Sequence, residues 1–282
     1  LESISVLEIY QVSKLKLYTN QWASGDIRAK QIADYLHVPC DCNEVTSEDV
    51  VVFVKTAPPE HVIKHVKRCY LDVVDCYGVI DWLRNHPNVI PIAIGNMAKE
   101  YINAQLGRND TVLIPEHHCN FENTLVNVSK PKTVGYIGYP ESFHLDVDEV
   151  AVVLKRLGLR FLYCNDFKSR QDVIDFYRTI DIQFTYRVEN TDNHLCPSLK
   201  NPLKVINASS FGIPSVCYPE PSYIKEGISF ISANSFDSAI KLLFKLKNDN
   251  AMYNKYSNMA IQDAKRYHIS NIAKLYEGLL DD

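Results

Sequence analysis

The sequence of 282 residues has no unbroken apolar run of the length that spans a membrane, about 18 residues, so no membrane span is expected. Its opening stretch, LESISVLEIYQVSK, has no basic segment followed by an apolar one, so no secretory signal is expected. It also has little excess charge of either sign. With 34 acidic and 30 basic residues the net charge is −4, which argues against a surface coated in phosphate-binding cations but leaves room for a local basic cleft. The motifs G-x-S-x-G, H-E-x-x-H and G-x4-G-K-[ST] are missing, which weakens hydrolase and kinase readings. No second ligand pair at zinc-like spacing accompanies Cys40-x-Cys42 and His37, so no metal is expected there. The eight cysteines sit mostly in apolar or strand-like runs and read as reduced core residues of a cytoplasmic protein. There is no short repeat and no low-complexity segment.

What is present is a soluble globular composition, 46% hydrophobic and 23% charged, and an alternation of strand and helix patterns typical of α/β layering. SISVLEIY is a candidate first strand, and DIRAKQIADYLH is an amphipathic helix with Ile27, Ile32, Ala33 and Leu36 on one face. DVVVFVK reads as a strand buried on both faces, PEHVIKHVKRC as a helix, YLDVVD as a strand and GVIDWLRNH as a helix. VIPIAIG, NMAKEYINAQLG and TVLIP continue the rhythm. Residues 116–132, EHHCNFENTLVNVSKPK, are polar and without period, and read as a linker. The alternation then resumes with TVGYIGYP, a helix capped by Asp146 and Gly158, LRFLYCN, a helix capped by Ser169, and DIQFTYR. A helix near 203–211, a strand near 215–218 and three terminal helices complete the chain. The expected architecture is two Rossmann-like domains facing a cleft, residues 1–130 and 131–282.

In open parallel sheets ligands bind beyond the carboxyl ends of the strands, so chemistry is sought there. Gly135-Tyr136-Ile137-Gly138-Tyr139-Pro140 follows a strand; its second glycine suits either a tight turn or the close approach of a diphosphate. In NPLKVINASSFGIPSVCYPEP, Pro202 suits the first helical position and places Lys204 in the first turn. A lysine there is unfavourable unless an anion joins it, although a solvated side chain is the plainer alternative. Ser198, Lys200 and Asn201 can add donors. Arg187 and Glu189 follow the strand DIQFTYR, where the guanidinium can reach a diphosphate, and Asp166 and Phe167 follow FLYCN, where they can frame a base. Asp26 is a candidate general base or a helix N-cap, and His117–His118, after TVLIP with Glu116, are candidate bases or satisfied linker histidines. Asp146-x-Asp148 opens a helix and reads as a cap, not a metal site.

NPLKVINASSFGIPSVCYPEPSYIKEG, with the strand TVGYIG and the helical tail after it, resembles the nucleotide-sugar-binding domain of GT-B glycosyltransferases. SGDIRAKQIADYL is similar to their N-terminal glycine turn and helix, and the likeness is best from about Thr133 onward. It implies a nucleoside-diphosphate sugar as donor, no bound metal or other cofactor, a glycan or other hydroxyl acceptor, and a terminal helix that crosses back to the N-terminal domain. It implies that Lys204 lies at the diphosphate and Asn207 beside the ribose; by position alone Gly138, Tyr139, Arg187 and Ser198 join the diphosphate site, and Asp26, His117 and His118 the acceptor side. The chain departs from the E-x7-E pair of many retaining members, since Asn207 and Leu199 occupy its two places. Either the enzyme is inverting, or Glu189 or Glu220 stands in, or activity is lost. Two other readings stay open: a transferase acting on nucleic acid, for which Lys64, Lys67 and Arg68 form the one basic cluster of the first half, and an inactive relative serving as a binding module. A periplasmic-type binding protein is disfavoured by the missing signal and the free thiols.

Overall fold

The structure, a computed structural model, describes residues 15–19, 23–188 and 199–281. The chain divides into two compact units, one drawn from residues up to Ile94, Ala98–Ile114 and Ser270 onward, the other from Gly95–Met97 and Pro115–Ile269.

The first unit is built on a parallel sheet in which β1 (Leu15–Tyr18), β2 (Val50–Val54), β3 (Arg68–Asp72), β4 (Val89–Ala93) and β5 (Val112–Leu113) follow one another in chain order. Every residue of β2 is buried, as an unbroken Val/Phe run between two helix layers should be. Helix α1 (Ala23–Gly25) runs through a π-helical turn at Asp26–Lys30 into α2 (Gln31–Leu36). That turn carries Arg28 into the core. Its Nε donates to Asp72 at 2.5 Å and its Nη2 to the Ile114 carbonyl at 2.8 Å, while the Tyr276 hydroxyl of α12 (Ile269–Glu277) donates to the same carboxylate at 3.4 Å. A buried arginine is tolerable only with such partners.

Two expectations differ in this unit and a third is not reached by it. The strand SISVLEIY lies outside the described residues. The helix expected to reach Cys69 stops at His65 (α3, Glu60–His65), because Val66 turns extended and Arg68–Cys69 pair with β2. The helix containing Asp26 begins three residues earlier than expected, so Asp26 does not cap it; its carboxylate accepts instead from Gln31 Nε2 at 2.7 Å.

The second unit has a parallel sheet in the order β10-β9-β8-β6-β7, formed by β6 (Thr133–Ile137), β7 (Arg160–Cys164), β8 (Ile182–Thr185), β9 (Ser215–Cys217) and β10 (Ile231–Ser232). From β6 the chain steps outward to β7, then returns to the other side for β8, β9 and β10. The reversal leaves a crevice at the carboxyl ends of β6 and β8. The predicted caps form. Asp146 accepts from Glu149 N at 2.8 Å to open α6 (Val147–Arg156), Ser169 makes a reciprocal capping box on α7 (Arg170–Tyr177), and Gly158 takes φ +67°. Pro202 sits at the N-cap of α8 (Leu203–Ser210), one place before the first helical position expected for it. The short helix α9 (Pro221–Lys225) and β10 are too brief to have left a period in the sequence.

Residues 116–132, expected as a linker, pack into the second unit. Asn207 Oδ1 accepts from Cys119 N at 2.8 Å, Asn120 Nδ2 donates to the Ser210 carbonyl at 2.8 Å, and Val126 N donates to the Phe211 carbonyl at 3.0 Å. The segment lacks a period because it runs along α8 as an irregular ribbon whose polar groups are satisfied singly. Seven cysteines are described, all free; Cys69, Cys119 and Cys217 are buried and the other four half-buried.

The two glycines of β6 and its turn do different work. A Cβ on Gly135 would stand 2.9 Å from Phe176 Cζ and from Ile180 Cδ1, and closer still to Ile180 Cγ2, so this residue lets the end of α7 and the segment after it close on the strand. Gly135→Ala is expected to destabilise the protein by about 1–3 kcal/mol through overpacking. Urea denaturation checks this, and an unchanged midpoint would contradict the close approach.

Candidate functional site

The carboxyl ends of β6 and β8 in the second unit bring together Gly138, Tyr139, Arg187 and Lys204. Gly138 ends β6 at φ +148°, a backbone region open essentially to glycine alone. Its missing side chain is filled by Lys204: a Cβ there would stand 2.7 Å from Lys204 Cε and 3.2 Å from Nζ. The ammonium also lies 5.6 Å from the centre of the Tyr136 ring. α8 is held at this height by Tyr177, whose hydroxyl donates to the Lys204 carbonyl at 3.1 Å. Among the described residues Lys204 Nζ makes no hydrogen bond or ion pair. Burial, then the like charge of Arg187, pull its pKa down to about 8, against the opposing influence of Glu220 and Glu116. By surface area the side chain is half-buried.

Arg187 follows β8 and is 8% exposed. Its Nη2 donates to Oε2 of Glu220, which follows β9 and is 1% exposed. Arg187 Nε is buried with no hydrogen-bond partner among the described residues. Asn201 Nδ2 donates to the buried carboxylate of Glu116, and Asn201 Oδ1 accepts from Leu203 N at 3.0 Å, which satisfies a first-turn amide of α8. Tyr139, next to Gly138, is 57% exposed, and its ring lies 5.9 Å from that of Phe167. Lys200 contributes a further positive charge felt at Lys204.

Other candidates lie elsewhere or are otherwise engaged. Ser198 and Glu189 fall outside the described residues. Asn207, expected beside a ribose, is buried and gives its carbonyl oxygen to Cys119 N, because the 116–132 segment runs against that side of α8. His117 and His118 are buried. His118 Nδ1 accepts from Asn120 N at 3.2 Å, His118 N donates to the Tyr267 carbonyl at 3.0 Å, and its ring stands 5.4 Å from that of His268. Burial, then the neighbouring His268 and His117, push the His118 pKa down to about 3, so the imidazole is neutral at physiological pH. Asp26 belongs to the first unit, half-buried at its π-helical turn. Asp166 is exposed near Lys168, at 3.7 Å. In the basic run of the first half, Lys64 pairs with Glu60 at 3.4 Å and Arg68 lies in β3, so the run is split between a helix and a strand. Among the described residues no three His, Cys, Asp or Glu side chains gather as a metal site, and no helix is long and apolar enough to cross a membrane.

Two elements of the site were not anticipated as contacts. Glu220 was weighed only as a substitute for the missing acids, not as the partner of Arg187, and Asn201–Glu116 was not foreseen. Nothing in the spacing points to the pairings.

No protein-family model matches the sequence, and no curated protein matches it by sequence. Solved structures do match it in fold. A glycosyltransferase from Rickettsia africae superposes with a TM-score of 0.60 at 10% identity over 97% of this chain and 100% of its own. HepE of Anabaena, solved with UDP-glucose, gives 0.58 at 12% identity over 95% and 99%. The pneumococcal O-GlcNAc transferase GtfA, solved with UDP and GlcNAc, gives 0.55 at 15% identity; the chain spans 60% of it, and 61% of the chain matched in the GtfA/B complex. The fold is that of the GT-B glycosyltransferases.

The buried neutral His118 carries a consequence for acid stability. Its pKa is about 6.5 unfolded and about 3 folded. Between those values only the unfolded chain binds the proton, so stability falls as pH falls, by about 1.4 kcal/mol per unit. Above pH 6.5 the residue makes no pH-dependent contribution. Denaturation at a series of pH values should show this slope, and His118→Gln should reduce it by one proton; an equal slope in both proteins would refute the assignment.

Proposed function

We propose that the chain is a glycosyltransferase of hexosyltransferase type that transfers a sugar from a nucleoside-diphosphate sugar to a hydroxyl acceptor, without a bound metal. The observation that carries this reading is the Lys204 ammonium, seated over Gly138 at the switch point of the second sheet and lacking an anionic partner among the described residues. Likeness in fold to proteins solved with UDP or UDP-glucose supports the donor class.

In this mechanism the second unit holds the diphosphate. As the bond between sugar and phosphate breaks, negative charge grows on the departing oxygen. Lys204 and Arg187 are cations already fixed in a partly dry site, and they stabilise that charge without reorganising. Each strong donor of this kind contributes on the order of 3 kcal/mol. Gly138 lets the backbone come close to the phosphates, and Tyr139 with Phe167 offers exposed aromatic surface for the base. Lys204 and Arg187 take the place a metal ion holds in other transferases.

A base for the acceptor hydroxyl is sought outside His118, which is neutral but buried and already accepts a hydrogen bond at Nδ1. Asp26 is the carboxylate we favour, as the half-buried acid of the first unit at an irregular helical turn. The acceptor is a glycan or another hydroxyl compound.

Thermal melting with UDP, GDP, ADP, CMP and dTDP tests the donor site. One nucleotide is expected to raise the melting temperature of the wild type, and Lys204→Ala should abolish the rise. Because the lysine is charged below its pKa of about 8, nucleotide affinity should fall as pH rises through that value in the wild type and stay flatter in the variant. If no nucleotide shifts the wild type at millimolar concentration, the donor-site reading fails.

A further inference from the structure

Glu220 is flanked by two prolines, in the run Pro219-Glu220-Pro221. A residue before proline is confined to extended backbone, and Glu220 sits there at φ −64°, ψ 135°. Its carbonyl accepts from Tyr223 N at 3.0 Å as α9 begins, so the backbone is pinned on both sides. The side chain is buried among Arg187, Cys217 and the phenol of Tyr223, whose pKa is raised well above its ordinary value by burial first and then by Glu220. A carboxylate placed so rigidly beside two cations is out of keeping with a site meant simply to attract an anion. On charge alone it weakens the site.

We propose that Glu220 is a positioning residue that acts through Arg187, holding the guanidinium so that its Nε faces the donor's diphosphate. This rests on the donor-site reading above. A guanidinium is planar, with its donors in a fixed fork, so capturing Nη2 on Glu220 Oε2 sets the plane and therefore the direction of Nε. Nε is the donor left buried without a partner among the described residues. An unsatisfied buried donor is costly, and an anionic oxygen in the crevice would satisfy it. Glu220 also offsets the repulsion between Arg187 and Lys204, acting on the lysine in the opposite sense to the arginine. All of these side chains lie on segments that follow β8 and β9 or on α8 between them.

The test is a double-mutant cycle read by isothermal titration with inorganic pyrophosphate. The wild type is expected to bind it. Glu220→Ala should weaken binding about tenfold or more, the scale of a charged hydrogen bond lost, although a negative charge has been removed from the site. In an Arg187→Ala background the same change should have no further effect. If Glu220→Ala alone does not fold, Glu220→Gln serves, because its amide oxygen still accepts from Nη2; a smaller loss is expected, again only with Arg187 present. Tighter binding in either background, an equal loss with and without Arg187, or no pyrophosphate binding by the wild type overturns the proposal. Nucleotide titrations separate the two ideas. Coupling seen with pyrophosphate while no nucleotide binds sustains the role of Glu220 and refutes the nucleotide donor, whereas nucleotide binding through Lys204 without coupling does the reverse.

Discussion

Two like charges, Arg187 and Lys204, are held at the carboxyl edge of one sheet, the first buried and the second half-buried. Everything else in the second unit arranges itself around that conflict. Glu220 takes up one cation, Gly138 gives up its side chain to make room for the other, and Tyr177 fixes the height of the helix that carries it. Like charges in a low-dielectric site repel strongly, and that repulsion adds to burial, the larger cause, in lowering the pKa of Lys204. On the proposed reading, a diphosphate with its two adjacent negative groups relieves it.

The supports of this edge come from distant parts of the chain. Residues 116–126 run along α8 and tie to it through Asn207, Ser210 and Phe211. Asn201 joins the start of the same helix to Glu116. The helix bearing Lys204 is therefore bound at its first turn and along its length. Its tilt over Gly138 is over-determined rather than left to one contact.

Much of the fold was legible because it rests on local rules. The Val-rich β2, the caps at Asp146 and Ser169 and the Gly158 stop are each dictated by neighbouring residues, and each formed where the pattern placed it. Lys204 and Gly138 were legible as positions after strands. Their meeting was not, because it depends on how α8 crosses the crevice. Asn207 shows the limit from the other side: its Oδ1 accepts from an amide 88 residues away, in a segment whose irregular backbone leaves no period to read. The Arg187–Glu220 pair lay hidden for a similar reason, since two adjacent strands bring together residues that the sequence keeps 33 apart. The helix ending at His65 was overrun because Lys67 and Arg68 extend an amphipathic pattern that pairing with β2 then overrides.

The described strands of the first unit lie in simple chain order, with no reversal among them. Among the described strands no crevice is fixed by a reversal of order, so a recognition surface at their ends is made by the loops that follow them. Loops accept insertion and substitution far more readily than strands. On the proposed reading the two units therefore differ in evolutionary freedom: the second keeps its site tied to strand order, while the loops beyond the described strands of the first can be refashioned without disturbing the sheet beneath.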